Sequence, residues 1–282
     1  MSNRFQHFQS RSVAALSIAA TVFAAVMALR LTGLLESPEI WAYDQFLRLR
    51  APRRAPEASP IVLIEITEDD IRSYGHPLCD ETLGQIVSRV MAAGPRAMGI
   101  DLYRDAPIPQ PCGLREAGAP LPIHYLQLGD TITASDLVVM VMKFPDPESG
   151  GTPPPTFLEG TNQIGFSDMP IDIDQGGAVR RGLLFVSDDD ATYVSFALQM
   201  ALRFLRPEGL ALGPAPDDPD WVRIGSTTIP PFETNDGGYV NEDDGAISSC
   251  STTATARARF PSTSWATSPA ARWEPKRSAT VS

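Results

Sequence analysis

Cysteine and histidine are scarce in this sequence of 282 residues. There are three of each, and they are widely scattered: Cys79, Cys112 and Cys250, and His7, His76 and His124. No CxxC pair exists, so the sequence has nothing from which to build a structural zinc site. Export would allow a disulfide between Cys79 and Cys112, and a reduced, buried pair is the alternative.

Catalytic and phosphate-binding motifs are also missing, since there is no GxxxxGK[ST], GxSxG or HExxH, and no GxGxxG after a strand. The acidic runs 68–70 and 188–190 are typical of a turn after a strand and of a hairpin tip rather than of metal ligands. Residues 172–176 resemble the first half of a calcium-binding loop, but Leu183 stands where that loop needs glutamate. We therefore predict no catalytic residue, no cofactor and no metal site.

Positive charge is in short supply as well, because the formal net charge is −11. A field of this sign repels polyphosphates, so nucleic acid is not an expected partner. Hydrophobic residues make up 43% of the chain and charged residues 20%. This composition is sufficient for a packed core.

One long uncharged run, residues 12–29, predicts a transmembrane helix over 12–35. Arg4 and Arg11 precede it without an acidic residue, which places residues 1–11 in the cytoplasm. A cleavable signal peptide is the alternative, since Val26, Met27 and Ala28 include small residues suited to cleavage. Under either interpretation, the domain that follows, residues 36–246, is exported.

The pattern of this exported region predicts an α/β fold, with a mixed, largely parallel central sheet and flanking helices, preceded by the one N-terminal transmembrane helix. Helices are predicted at 36–54, 80–93 and 193–205. Strands are predicted at 61–67, 97–102, 137–144, 163–167 and 182–187, with short ones near 222–224 and 227–229. The strand–helix–strand order over 61–102 indicates a parallel βαβ unit, whereas the proline-rich stretch 103–136 cannot be assigned.

Short motifs in a fixed order give the region a family resemblance. They are Tyr43-Asp44, the segment 61–71, Tyr74-Gly75-His76-Pro77, the run 93–101, Val141-Met142-Lys143-Phe144, Ile164-Gly165-Phe166, the segment 172–181 and Ser195-Phe196-Ala197-Leu198. Over about 36–244 the chain resembles the second type of CHASE domain, an extracellular sensory module of bacterial cyclases and kinases.

The resemblance implies no ligand-binding residue, and its matches are interpreted as fold-defining: Tyr43, Asp44, Asp101, Gly165, Asp174 and Arg180. Gly99 and Gly165 are predicted to allow close packing or unusual backbone angles within strands. Asp174 and Arg180 are predicted to hold a hairpin turn by a charge-assisted hydrogen bond.

The composition changes after Gly245, because residues 247–282 carry five basic side chains and one acidic one. They also hold eight serines, six threonines and seven alanines, whereas residues 1–246 have a net charge of −15. A disordered basic tail and a frameshifted end are the two hypotheses. We expect the chain to lack the cyclase or kinase that usually follows such a domain.

These patterns favour the sensory input domain of a single-pass receptor in the bacterial inner membrane, with its main domain in the periplasm or outside the cell. Its expected partners are the membrane, an unidentified small molecule or environmental signal and, as an option, a second copy of the chain. A periplasmic solute-binding protein with a cleaved signal peptide is the alternative. No enzymatic activity is predicted.

Overall fold

The computed structural model describes residues 2–50, 60–109, 120–146, 150–170, 179–187, 191–218, 221–242 and 247–250, with backbone alone for 2–12 and 247–250. The chain divides into two compact units. The first, the anchor unit, consists of Met1–Val62 and Glu233–Gly245. The second, the sheet unit, consists of Leu63–Phe232 and Ala246–Ser282.

The anchor unit contains two helices, α1 (Ser2–Leu31) and α2 (Glu36–Leu49). Within α1, Val13–Leu31 is long and apolar enough to cross a membrane, and none of it is buried by the protein. The turn between the helices includes Gly33, whose φ of +77° favours glycine. Helix α2 ends before the predicted residue 54, and Arg50 is already extended.

The sheet unit has a three-stranded parallel sheet at its centre. Its strands are β1 (Met98–Ile100), β2 (Val138–Met142) and β3 (Ile164–Phe166), in the order β1-β2-β3. All five residues of the middle strand, β2, are at most 3% exposed. A continuous apolar run of this kind is typical of a parallel strand that is covered on both faces.

Helices cover both faces of this sheet. Helices α4 (Asp80–Ala92) and α5 (Ile123–Thr133) pack against one face, where their apolar side chains meet those of β1 and β2. On the other face lies α6 (Phe196–Leu205). A Cβ atom built on Gly165 would come within 2.4 Å of Phe196 Cα, so a glycine at this position of β3 lets the helix approach.

Two antiparallel sheets complete the described part of the unit. One has the order β5-β4-β9, from β4 (Arg181–Ser187), β5 (Thr192–Val194) and β9 (Ile247–Cys250). The other is β6-β7-β8, from β6 (Leu212–Pro214), β7 (Val222–Ile224) and β8 (Thr227–Ile229). A second hydrophobic cluster joins Phe185, Leu198, Val222 and Ile229.

The predicted fold class is confirmed, because the structure is α/β with a parallel sheet and an N-terminal apolar helix. Two local assignments differ. Helix α5 lies in the stretch that could not be assigned, and 193–205 divides into the end of β5 and α6, with Ser195 as the N-cap between them. The Ser195 hydroxyl accepts a hydrogen bond from Leu198 N, and this cap fixes where the helix begins.

The predicted strand 61–67 is the largest difference. Its residues 62–66 belong to no strand of the described chain, and the helix α3 (Glu68–Tyr74) follows directly. Thr67 begins α3 through a capping box with Asp70. A strand is defined by its backbone pairing, so an extended segment without a neighbouring strand remains a coil however favourable its side chains are.

The tail prediction stays a prediction. The structure gives residues 247–250 as β9, antiparallel to β4. Residues 251–282 lie outside the described part of the chain.

Candidate functional site

The carboxyl ends of β1, β2 and β3 meet at one edge of the parallel sheet, which we call the polar edge. The residues that follow these strands there are Asp101 and Tyr103 after β1, Lys143 after β2, and Ser167 and Asp168 after β3. Open parallel sheets bind their ligands at this edge, since the loops that leave the strands converge there. This group of polar side chains is therefore the first candidate for a site.

A hydroxyl pair spans the polar edge. Tyr103 Oη lies 2.8 Å from Ser167 Oγ, and Ser167 Oγ donates to Met142 O at 3.2 Å. The two hydrogen bonds connect the loop after β1 to the end of β3, above the end of β2. Tyr103 is 46% exposed, so its phenol is accessible to a solute.

One amine and one carboxyl lie beside the hydroxyl pair. Lys143 Nζ is 2.5 Å from an Asp146 carboxylate oxygen, and this hydrogen bond raises the pKa of the lysine. Asp168 Oδ2 accepts from Phe144 N at 3.1 Å. Burial raises the pKa of Asp168, and the Phe144 N–H and the charge of Lys143 act in the opposite direction.

Aromatic side chains lie next to these polar groups. The ring of Phe144 contacts Phe166 at a centroid distance of 5.4 Å and Tyr193 edge-on at 5.0 Å. The polar edge thus combines an amine, a carboxyl and hydroxyls with a packed aromatic support. Such an arrangement suits a small polar solute, because a few placed polar groups orient a ligand while apolar contacts supply surface.

A second polar group, Asp80 and Arg104, is buried. Asp80 is fully buried in the first turn of α4, and Arg104 is 2% exposed in the loop after β1. Asp80 Oδ2 accepts from Ile108 N at 2.8 Å, Asp80 Oδ1 lies 3.6 Å from Arg104 Nη1, and Arg104 donates to Leu78 O. Burial raises the pKa of Asp80, whereas the Ile108 N–H and the arginine charge lower it.

This buried pair has a structural function, since its contacts join the loop after β1 to the start of α4. Neighbouring Cys79 is also buried, and its Sγ lies 3.1 Å from Thr82 Oγ1. Cys112, with which Cys79 would form the predicted disulfide, lies outside the described residues. Both the disulfide and the reduced pair therefore stay predictions.

A third polar group surrounds the buried guanidinium of Arg203 in α6. It donates to Asp136 O at 2.5 Å, to Asn162 O at 2.8 Å and to Gln199 Oε1 at 2.6 Å. Burial, with the positive charge of Arg206 second, lowers the pKa of Arg203 to about 10. These bonds link α6 to the segments that precede β2 and β3. The Arg203 group therefore stabilises the fold and does not form an open binding site.

The residues singled out from the sequence occupy several regions. Tyr43 and Asp44 lie in α2 of the anchor unit, whereas Asp101 directly follows β1 and Gly165 lies in β3. Arg180 is buried immediately before β4. Asp174 lies outside the described residues, and so do the calcium-loop-like segment and the acidic run 188–190. The predicted Asp174–Arg180 bond therefore stays a prediction.

The polar edge was not found as a site from the sequence, although Asp101 and Lys143 lie in the quoted motifs. The available signal was positional, because each of its members follows an apolar strand within a few residues. Tyr103 lies in the stretch that could not be assigned. Among the residues that the structure describes, no group of three or more His, Cys, Asp or Glu is placed to hold a metal ion.

Comparison with known families gives one match. The family model of the CHASE2 domain matches residues 21–269, which is most of the chain. The match begins inside α1 and continues beyond β9. No curated protein and no solved structure matches the chain. The resemblance drawn from the ordered motifs is thereby confirmed. The chain belongs to the CHASE2 domain family, the extracellular sensory domains of signalling receptors.

Proposed function

We propose that this protein is the input domain of a bacterial inner-membrane receptor, held in the membrane by α1, with its sheet unit in the periplasm or outside the cell. The observation that carries the proposal is the CHASE2 match together with the membrane-length helix Val13–Leu31. A cyclase or a kinase is the output that such a domain regulates.

Contacts at the end of α1 support a retained anchor. Arg30 bonds to a Glu39 carboxylate oxygen at 2.9 Å and to Gly237 O at 2.5 Å, all within the anchor unit. The end of the helix is therefore held to α2 and to the backbone at Gly237. A displacement within the anchor unit would be transmitted to α1. A leader peptide that is cleaved off could not transmit such a displacement to the membrane.

Mapping the mature N-terminus by mass spectrometry tests the anchor. We expect the purified membrane protein to keep residues 1–28, and we expect alkaline carbonate to leave it in the membrane fraction. A mature chain that starts after Ala28 and is recovered in the soluble fraction would support the periplasmic solute-binding protein instead. That outcome would reject the anchored receptor.

The polar edge is the proposed sensing site, and a small polar solute with both a carboxylate and a donor group is the proposed signal. The Lys143 amine suits the carboxylate, and the Asp168 carboxyl and the Tyr103–Ser167 hydroxyls suit the donors. Lys143 is one-third exposed, so a ligand can compete with Asp146 for it.

Thermal unfolding of the full chain in detergent tests this site, with free amino acids and hydroxy acids as probes. A probe that binds the folded chain raises the unfolding temperature. We expect at least one to do so, and we expect Lys143→Met and Asp168→Asn to abolish the shift. Arg89→Met, on the exposed surface of α4, is the matched control and should keep it. A shift that survives both edge variants would exclude the polar edge as the binding site.

A further inference from the structure

Residues 62–66, which we call the donor segment, are extended and strongly apolar but pair with no strand of the described chain. The exposed fractions are 84% for Val62, 78% for Leu63, 64% for Ile64 and 36% for Ile66. A row of branched apolar side chains with an unpaired backbone favours strand formation as soon as an edge is available. Soluble chains rarely leave such a row in water.

The parallel sheet has such an edge at β1. Met98 N donates to Leu137 O, so this residue faces the β2 side. Successive residues of a strand direct their backbone groups to opposite sides, and Gly99 therefore presents its N–H and C=O to the outer side. In the part of the chain that the structure describes, β2 is the one strand that pairs with β1.

The opposite edge of the sheet differs. There, Phe166 of β3 forms a parallel bridge with Ser195, and α6 begins directly after it. The backbone of Ser195 therefore lies along the outer side of that strand. Among the described residues, the sheet is thus covered at β3 and open at β1.

We infer that two copies of the chain exchange their donor segments, each adding residues 62–66 as a parallel strand to β1 of the other copy. Each copy carries one donor segment and one open edge, so a reciprocal exchange satisfies both and closes as a two-fold dimer. The occupant is a second copy because, within the described residues of one chain, the donor segment is exposed and β1 pairs with β2 alone.

The exchange has a consequence for the polar edge. A strand added parallel to β1 ends at the same edge as β1, so Thr67 of the partner copy would approach the end of the strand at Asp101. The capping box at Thr67 sets the direction in which the chain leaves the donor segment. Dimerisation would therefore complete the polar edge with residues of a second copy, and this consequence rests on the proposed sensing site.

Disulfide trapping in the full chain tests the exchange. Two differently tagged chains are co-expressed, with Cys112 and Cys250 replaced by serine in both. One chain carries Asp101→Cys, beside the open edge at β1. The other carries Val62→Cys, Ile64→Cys or Ile66→Cys in turn, because the register of the donor segment against β1 has to be determined. We expect one donor position to give a covalent dimer that contains both tags. Ser88→Cys, exposed on α4, is the matched control and should give none.

Two results would overturn the exchange. One is the absence of a cross-link at all three donor positions. The other is an internal disulfide, at the mass of a monomer, when both cysteines are placed in one polypeptide. It would show that the donor segment pairs with β1 of its own chain.

A charge variant gives an independent measurement. Ile64→Asp should turn the dimer into a monomer in light scattering while the circular dichroism spectrum stays that of the parent, because Ile64 is exposed within one chain. A variant that remains dimeric would contradict the proposal. Glu65→Gln, which changes a charge in the same segment without adding one to an apolar position, should leave the dimer intact.

Discussion

Strand β2 and the donor segment are two five-residue runs, both rich in apolar and β-branched residues, with opposite surroundings. The five residues of β2 are at most 3% exposed, whereas Val62, Leu63 and Ile64 are each more than 60% exposed. The difference lies in the neighbours, because β2 has a strand on each side and a helix layer on each face. Composition creates the tendency to form a strand, and pairing with an adjacent strand decides whether it forms.

The comparison also separates stability from association. Side chains of β2 contribute to the stability of a single chain, since each is removed from water on folding. The donor segment buries little within one chain, so its apolar surface is available for contact with a second copy. Substitutions in the two runs should therefore change different measurements.

A buried charge gives the largest expected difference between the runs. Val139 in β2 is fully buried, and Val139→Asp would place an unpaired carboxylate between α6 and the rest of the core. We expect a loss of about 3–5 kcal/mol in the free energy of unfolding, enough to unfold much of the population. Urea titration followed by circular dichroism measures it. Ile64→Asp is the matched substitution, and equal losses for both would contradict the comparison.

The close contact between β3 and α6, on the other face of the sheet, is the next test. Gly165→Ala would push a methyl group into the backbone of Phe196, and we expect a cost of about 1–3 kcal/mol. Gly213→Ala in β6 adds the same atom where nothing lies within 4 Å, so its effect should stay within about 0.5 kcal/mol. Urea midpoints of both variants provide the measurement. Similar urea midpoints for the two variants would mean that α6 moves away from β3 without a loss of stability.

Removing the N-cap of α6 should lower the free energy of unfolding by a smaller amount. Ser195→Ala removes the hydroxyl that accepts from Leu198 N, with an expected cost of about 1 kcal/mol. Ser88→Ala, which removes a hydroxyl that bonds to Gly84 O within α4, should cost less, because the backbone there has its helical partners. A larger loss at Ser88 than at Ser195 would show that the cap is dispensable.

The smallest expected effect is a pH dependence at the polar edge, beyond the end of β2. Burial holds the pKa of Asp168 above its ordinary value of 3.8, so the folded state binds this proton more tightly than the unfolded one. Stability should therefore rise as the pH falls from neutrality through the folded pKa, and level off below 3.8. Asp168→Asn should lack this component. Parallel pH profiles of the parent and the variant would contradict the assignment.

Sequence patterns located most of the sheet unit because its central elements carry strong local signals. The apolar run around β2, the amphipathic helix α4 and the glycine of β3 were all recognisable, and so was the family to which they belong. The polar edge was not found as a site. Tyr103 and Ser167 are far apart in the chain, and their 2.8 Å contact arises from the order of three parallel strands.

Buried polar groups were equally inaccessible from the sequence. Asp80 was recognised as the start of a helix, but its burial against Arg104 depends on how the loop after β1 returns to α4. No sequence motif distinguishes Arg203 from the other arginines, yet the structure gives its buried guanidinium five backbone or amide acceptors at hydrogen-bonding distance. Contacts between residues far apart in the chain produce no periodic pattern in the sequence, so they cannot be predicted from it.

The sequence by itself determined the apolar α1, the family, the fold class and the extent of α4, because these depend on local hydrophobic period and capping chemistry. Only the tertiary structure decided which apolar run became a strand. Backbone hydrogen bonds require a neighbour at the right distance, and β2 has two such neighbours, whereas the donor segment has none within the described chain.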